Sequence, residues 1–221
     1  MQVYPAILTS SLEIAAGQLA QVAHNPAIET VQIDIIDGMY ADEMTLQPLD
    51  LTELDFGDLT IDIHLLTEEP MDYVLELIGL AEQLPIRAII AQIERMSYQA
   101  DFIEEVKRVN WKAGFSLDLF TPVEAIEDEH WSNLDVIQVL GNEGGRQGLA
   151  LHPHALEKIP EVARRLAHSS ADDKPELIVD IGVKVDNIAE LKKLGVTGVS
   201  VGSELWKSQN LAETIAILSQ A

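Results

Sequence analysis

Apolar residues in this chain fall into short Val- and Ile-rich runs, separated by longer stretches where they recur every three or four positions. The runs predict strands at Val3–Thr9, Thr30–Ile36, Leu59–Leu66, Ala88–Ile93, Lys112–Asp118, Leu134–Leu140, Glu176–Asp180 and Gly198–Val201. The intervening stretches predict helices. In Ser11–Ala23, Leu12, Ala15, Leu19 and Val22 share one helical face. Met71–Leu84, Asp101–Val109, Leu151–Leu166, Val185–Leu194 and Leu211–Leu218 repeat that period, and only a short turn around Leu46–Leu51 is expected after the second strand. Strands alternating with helices imply right-handed crossovers and a parallel sheet. Eight such units predict an α/β fold, one closed (β/α)8 TIM barrel over residues 1–221, and the length suits a fold of roughly 200–250 residues. An open doubly wound sheet would have fewer strands and a glycine-rich first turn, but that turn here is Thr9-Ser10-Ser11. No linker divides the chain, and Ser169–Lys174 reads as a polar loop.

The charge balance narrows the partners. Asp and Glu total 37 against 14 Lys plus Arg, a formal net charge of −23. Such a surface repels phosphate backbones and anionic lipid, so neither nucleic acid nor membrane is an expected partner. An anionic substrate would need local neutralisation. The chain has no cysteine, which excludes disulfides, thiolate metal sites and a cysteine nucleophile. No signal-peptide pattern and no apolar run of about 20 residues is present, so the expectation is a soluble, cytoplasmic protein.

Barrel chemistry sits at the carboxyl ends of the strands. In VQIDIIDGMY, alternation places Gln32 and Asp34 on one face, and a carboxylate inside an Ile-rich strand is costly unless paired or functional. Asp37-Gly38 reads as a turn. Asp62 and His64 share a face of the third strand, Gln92 and Glu94 a face of the fourth, and Asp180 ends the seventh. Each has a structural explanation when taken singly: a satisfied core histidine, or a carboxylate capping the next helix. Together, Asp34, His64 and Asp180 offer oxygen and nitrogen donors suited to Zn, Mn or Fe(II). The run Gly141-Asn142-Glu143-Gly144-Gly145-Arg146-Gln147-Gly148 could cradle a phosphate on backbone N–H groups, or could be a flexible loop. Gly202-Ser203, before the last helix, favours the first reading. Arg95, Arg146 and Lys184, at strand exits, could offset the acidic surface there.

Six segments, in order, resemble the ribulose-phosphate 3-epimerase family. PAILTSSLE resembles its opening strand and turn, IDIIDGMY its Asp-x-Met-Asp-Gly-x-Phe, and DIHLL its Asp-x-His-Leu-Met. The run 141–148 resembles its glycine-rich loop, VDIGV its Val-Asp-Gly-Gly-Ile, and VGSELW its Gly-Ser-Ala-Ile-Phe. The resemblance implies a homo-oligomeric barrel that binds a sugar phosphate and one divalent metal ion (Zn, Mn or Fe(II)) and interconverts D-ribulose 5-phosphate and D-xylulose 5-phosphate. It implies Asp34 as base and metal ligand, Asp180 as acid and metal ligand, and His64 as a metal ligand. Gly145, Gly148, Gly182, Gly202 and Ser203 match phosphate-binding positions, and Ile36, Leu66 and Leu140 match an apolar bed under the substrate. The chain departs from the family at four places. Gln32 stands where the family has a second histidine ligand, and its carbonyl oxygen is a weaker candidate metal ligand there; Ala6 stands where the family has a substrate-touching serine, Ile181 in place of one glycine of Asp-Gly-Gly, and the glycine-rich loop lacks the family's Pro and carries Glu143 and Arg146. The alternative is a catalytically altered or inactive sugar-phosphate-binding barrel of the same family. A lyase reading is disfavoured, because the third strand lacks the lysine of the related Asp-x-Lys-x-x-Asp barrels.

Overall fold

The computed structural model describes residues 1–146, 148–167 and 175–220. Gln147 and the expected polar loop Ser169–Lys174 lie outside the described residues. Eight strands follow in chain order: β1 (Gln2–Ile7), β2 (Thr30–Ile36), β3 (Thr60–Leu66), β4 (Ile86–Gln92), β5 (Lys112–Leu117), β6 (Val136–Leu140), β7 (Glu176–Asp180) and β8 (Gly198–Val201). Each pairs in parallel with its neighbours, and β8 returns to β1, so the sheet closes into the expected (β/α)8 barrel. The helices are α1 (Leu12–Val22), α2 (Pro70–Gly79), α3 (Gln99–Arg108), α4 (Pro153–Ala167), α5 (Ile188–Lys193), α6 (Ser203–Trp206) and α7 (Leu211–Gln220). The crossovers after β2 and β5 carry only short 3-10 turns, at Asp50–Glu53, Val123–Ala125 and Asp128–His130.

The strands are apolar runs because both their faces are covered; every residue of β2 is buried. Outward residues such as Val31, Ile33 and Ile35 share one large buried cluster with Ala15, Leu19 and Val22 of α1. The barrel interior holds a second, small apolar cluster of Tyr4, Ala88, Ile90, Val136 and Ile178. Ser11 caps α1, its Oγ accepting from Ile14 N–H, and Pro70 opens α2 where its missing N–H goes unneeded. Most element boundaries shift by a few residues, and two of the shifts matter here. The second helix stops at Gly79, and Leu84 is buried from a turn that continues the helical spacing without the helix. β4 ends at Gln92, so Glu94 sits on an exposed 3-10 turn and does not share the face of Gln92.

A polar plug fills the amino end of the barrel. The register between β3 and β4 pairs Ile61 with Ile86 and Asp62 with Ala88, leaving Arg87 as the extra residue of a bulge. Arg87 forms a bidentate ion pair with Asp62, and its Nη1 reaches Glu176 Oε1 at 2.7 Å. Lys112 Nζ lies 2.6 Å from the same oxygen, and the Tyr4 hydroxyl donates to Glu176 Oε2. Asp62 therefore shares a face with His64, as alternation requires, but serves the opposite end of the barrel. Burial opposes ionisation of Glu176, and the hydrogen bonds and charge of Arg87 outweigh it, holding the carboxyl down to about 2.

Removing one member of a buried pair strands the other. Arg87→Ala is expected to destabilise the protein by about 3–5 kcal/mol, measured by urea unfolding at neutral pH. A carboxyl depressed from 4.5 to about 2 stabilises fully above pH 4.5 and loses that contribution as pH falls towards 2. The acid-side loss of stability should therefore be smaller in Arg87→Ala than in the wild type.

Candidate active site

Four strands position the candidate chemistry at the carboxyl end. Asp34 of β2 is the register partner of His64 on β3, and Gln32 precedes Asp34 by one inward step. Asp180 closes β7. The three ionisable groups are buried and converge: His64 Nδ1 lies 3.0 Å from Asp34 Oδ1 and 3.6 Å from Asp180 Oδ2. Gln32, 1% exposed, lies among them. Its Nε2 donates to Asp34 Oδ1 at 2.8 Å and to Asp180 Oδ2 at 3.1 Å, and stands 3.5 Å from His64 Nδ1. Ile181 N–H donates to Asp180 Oδ1 at 2.8 Å, and Gln138 Nε2 reaches Asp180 Oδ2 at 3.4 Å. Burial and then the nearby charge of Asp34 push the Asp180 carboxyl up to about 6, against the opposing effect of His64.

These groups open into a cleft lined by Asp34, His64, Asp180, Gly145, Arg146, Gly148, Gly182, Gly202 and Ser203, among others. The glycine-rich run, the β7 exit and the β8 exit are thus brought together as expected, and Gln32 lies behind the lining. Gly182 has φ +81, and a Cβ there would meet Leu151 N at 2.4 Å, so only glycine fits. Gly141 is equally confined, since a Cβ would lie 2.1 Å from the carbonyl oxygen of Ile181. Ile181 itself holds φ 68, a conformation rare for a β-branched residue, where the resembling family has glycine. Leu66 lines the cleft with Ala6, whereas Ile36 and Leu140 are fully buried and do not line it.

The expected neutralising cations are only partly there. Arg146 lines the cleft, paired at 3.4 Å with Glu143. Arg95 pairs with Glu68 at 3.3 Å in a neighbouring groove, and Lys184 does not line the cleft. Lys207, unremarked in the sequence, lies nearby: a methyl built on Gly148 would stand 3.7 Å from Lys207 Nζ and 3.9 Å from Ser203 Oγ. Asp37 is a turn residue, as its Asp-Gly context suggests. Burial opposes its charge, but N–H donors from Tyr40, Glu68 and Met39 hold its carboxyl below the usual range. Gln138 and Ser200 also belong to the site's surroundings and were legible only as polar residues inside the strands VIQVL and GVSV. Among the described residues a second group that could hold a metal, Glu127, Glu129 and His130, lies on the turn between β5 and β6, away from the cleft.

A closed barrel whose carboxyl end holds two buried carboxylates and an imidazole has the architecture of a (β/α)8 enzyme. The sequence profile described as the ribulose-phosphate 3 epimerase family matches residues 2–206, and the chain belongs to that family, whose members are isomerases acting on carbohydrates. The ribulose-phosphate 3-epimerase of Escherichia coli (strain K12) is 28% identical over 214 residues, covering 96% of this chain and 91% of that protein. The ribulose-phosphate 3-epimerase of Bacillus subtilis (strain 168) is 26% identical over 218 residues, covering 98% and 97%. A crystal structure of 3-hexulose-6-phosphate synthase shares the fold at 15% identity with a TM-score of 0.64, covering 99% of this chain and 97% of that one. Phosphoribosyl anthranilate isomerase from Thermus thermophilus does so at 16% identity with a TM-score of 0.62, covering 100% and 97%. Among the described residues, no helix is long and apolar enough to cross a membrane.

The raised Asp180 carboxyl carries a sign. A carboxyl whose folded value lies above its ordinary 3.8 stabilises most below that value and loses the contribution as pH rises through about 6. In chelator-treated protein, stability relative to Asp180→Asn is expected to fall as pH rises from about 4 to 7. Urea unfolding across that range checks it, and parallel curves would contradict it.

Proposed function

We propose that the protein interconverts D-ribulose 5-phosphate and D-xylulose 5-phosphate by proton transfer at C3 between Asp34 and Asp180. The observation that carries this reading is the pair of carboxylates from β2 and β7, brought to one cleft with an imidazole 3.0 and 3.6 Å from their oxygens. In the forward direction Asp34 takes the C3 proton, and the electron pair left behind delocalises through C2 onto its oxygen as an enediolate. Asp180, whose raised affinity for a proton suits an acid, delivers one to the opposite face of C3. On the return path the roles exchange. Arg146 and Lys207, with the backbone of Gly145, Gly148, Gly182, Gly202 and Ser203, would receive the phosphate and offset the surface charge there.

The donor set suits a divalent ion, since one ligand atom each from Asp34, His64 and Asp180 lies within 4.8 Å of the others. Asp34, His64 and Asp180 would hold Zn, Mn or Fe(II), and the bound ion would supply electrostatic stabilisation of the charge that develops on the sugar oxygens. Gln32 could join as a fourth donor by turning its amide so that Oε1 takes the place of Nε2. A neutral amide oxygen binds borderline metals less well than imidazole does. Gln32→His is therefore expected to tighten Zn binding in calorimetric titration, and unchanged affinity would exclude position 32 from the ligand set. The reading also carries a cytoplasmic homo-oligomer.

Asp34→Asn and Asp180→Asn are each expected to lower the rate of ribulose 5-phosphate conversion by about 10²–10⁴-fold, in a coupled assay with added metal. Wild-type rates in either would overturn the assignment. Gln32 and Ala6, which replace a ligand and a substrate contact of the family, favour a second reading. In it, the barrel binds sugar phosphate without turning it over. Binding of ribulose 5-phosphate with no conversion under any metal would select that reading.

A further inference from the structure

Barrel interiors are usually filled by Val, Ile and Leu. Below this cleft, the interior instead holds Gln92, Ser116 and Gln138, each 0% exposed. The three are consecutive register partners on β4, β5 and β6, so they face the same space. Gln92 Oε1, Ser116 Oγ and Gln138 Oε1 have no hydrogen-bond partner among the described residues. Their amide nitrogens, by contrast, are committed. Gln92 Nε2 donates to the Tyr40 hydroxyl at 2.9 Å, and Gln138 Nε2 reaches Asp180 Oδ2 at 3.4 Å. Asp180 accepts from Gln138, which turns the Gln138 amide oxygen to the shared space, and with Nε2 on the Tyr40 hydroxyl Gln92 presents its oxygen from the other side, with a hydroxyl between them.

Leaving such atoms unpaired is costly, and buried polar groups in native proteins are satisfied by protein or water. We propose that Gln92, Ser116 and Gln138 form a binding site for one internal water molecule. That water completes a row, Tyr40–Gln92–Ser116–Gln138, which positions the Asp180 carboxylate. The water donates one hydrogen to each amide oxygen and accepts the Ser116 hydroxyl hydrogen, which satisfies all three atoms with the usual three bonds. The row ends at Tyr40, against which the glycine-rich loop packs: a Cβ on Gly144 would lie 3.1 Å from the Tyr40 ring. The position of that loop is thereby linked to the position of Asp180. The residues of the row are positioning residues, since Gln138 acts on the reaction only through Asp180, and this consequence rests on the epimerase reading above.

Two experiments test the site. A high-resolution crystal structure of the whole protein should show an ordered water within hydrogen-bond distance of Gln92 Oε1, Ser116 Oγ and Gln138 Oε1; a dry site overturns the proposal whatever the enzyme's activity. In the metal-loaded enzyme, Gln138→Leu and Ser116→Ala should each lower kcat by about tenfold while KM for ribulose 5-phosphate stays within about twofold. Tyr40→Phe combined with Gln138→Leu should cost less than the product of the single effects, because both break one row. Unchanged kcat, a loss confined to KM, or multiplicative effects would overturn it. If the wild type converts no ribulose 5-phosphate, the epimerase reading fails while the crystallographic result still decides the water site.

Discussion

Two carboxylates buried against one another in one pocket repel each other. The carboxyl end of this barrel is arranged around that constraint. Gln32 sets a single amide nitrogen against both Asp34 and Asp180, and His64 lies within 3.6 Å of either. The Ile181 N–H adds a donor to Asp180, from a backbone conformation that glycine would hold more easily. These contacts favour the ionised carboxylate, but burial and the charge of Asp34 outweigh them, so Asp180 holds its proton more tightly than an ordinary carboxyl.

The opposite end of the barrel solves a different problem. There, Arg87, Lys112, Asp62 and Glu176 pair fully, with Tyr4 closing the group. None of these residues lines the cleft, and their mutual pairing serves structure. A small apolar cluster including Ala88, Ile90 and Ile178 lies in the barrel interior between the two polar groups.

Much of this was legible in the sequence. Strands covered on both faces leave continuous apolar runs, so all eight were visible, and the polar residues within them marked Asp34, His64 and Asp180. Periodicity reveals which face a residue occupies, but not which layer of the barrel it reaches. For that reason Asp62 looked like a companion of His64, although a bulge pairs it with Arg87 at the far end. Likewise, strand exits told nothing about which cations turn towards the cleft: Arg146 does, Arg95 and Lys184 do not, and Lys207 enters from beyond the short helix α6. The orphaned oxygens of Gln92, Ser116 and Gln138 depend on side-chain partners that no local pattern encodes.

The central claim is that Asp34 and Asp180 exchange protons with opposite faces of one carbon. It is tested most directly by turning over ribulose 5-phosphate in deuterium oxide with metal-loaded enzyme and reading C3 by proton NMR. The two-carboxylate account predicts xylulose 5-phosphate carrying solvent deuterium at C3. It also predicts that Asp180→Asn, which keeps the base and lacks the acid, labels recovered ribulose 5-phosphate without inverting it. Product that retains its original hydrogen, or equal epimerisation by the Asp180→Asn variant, would contradict it.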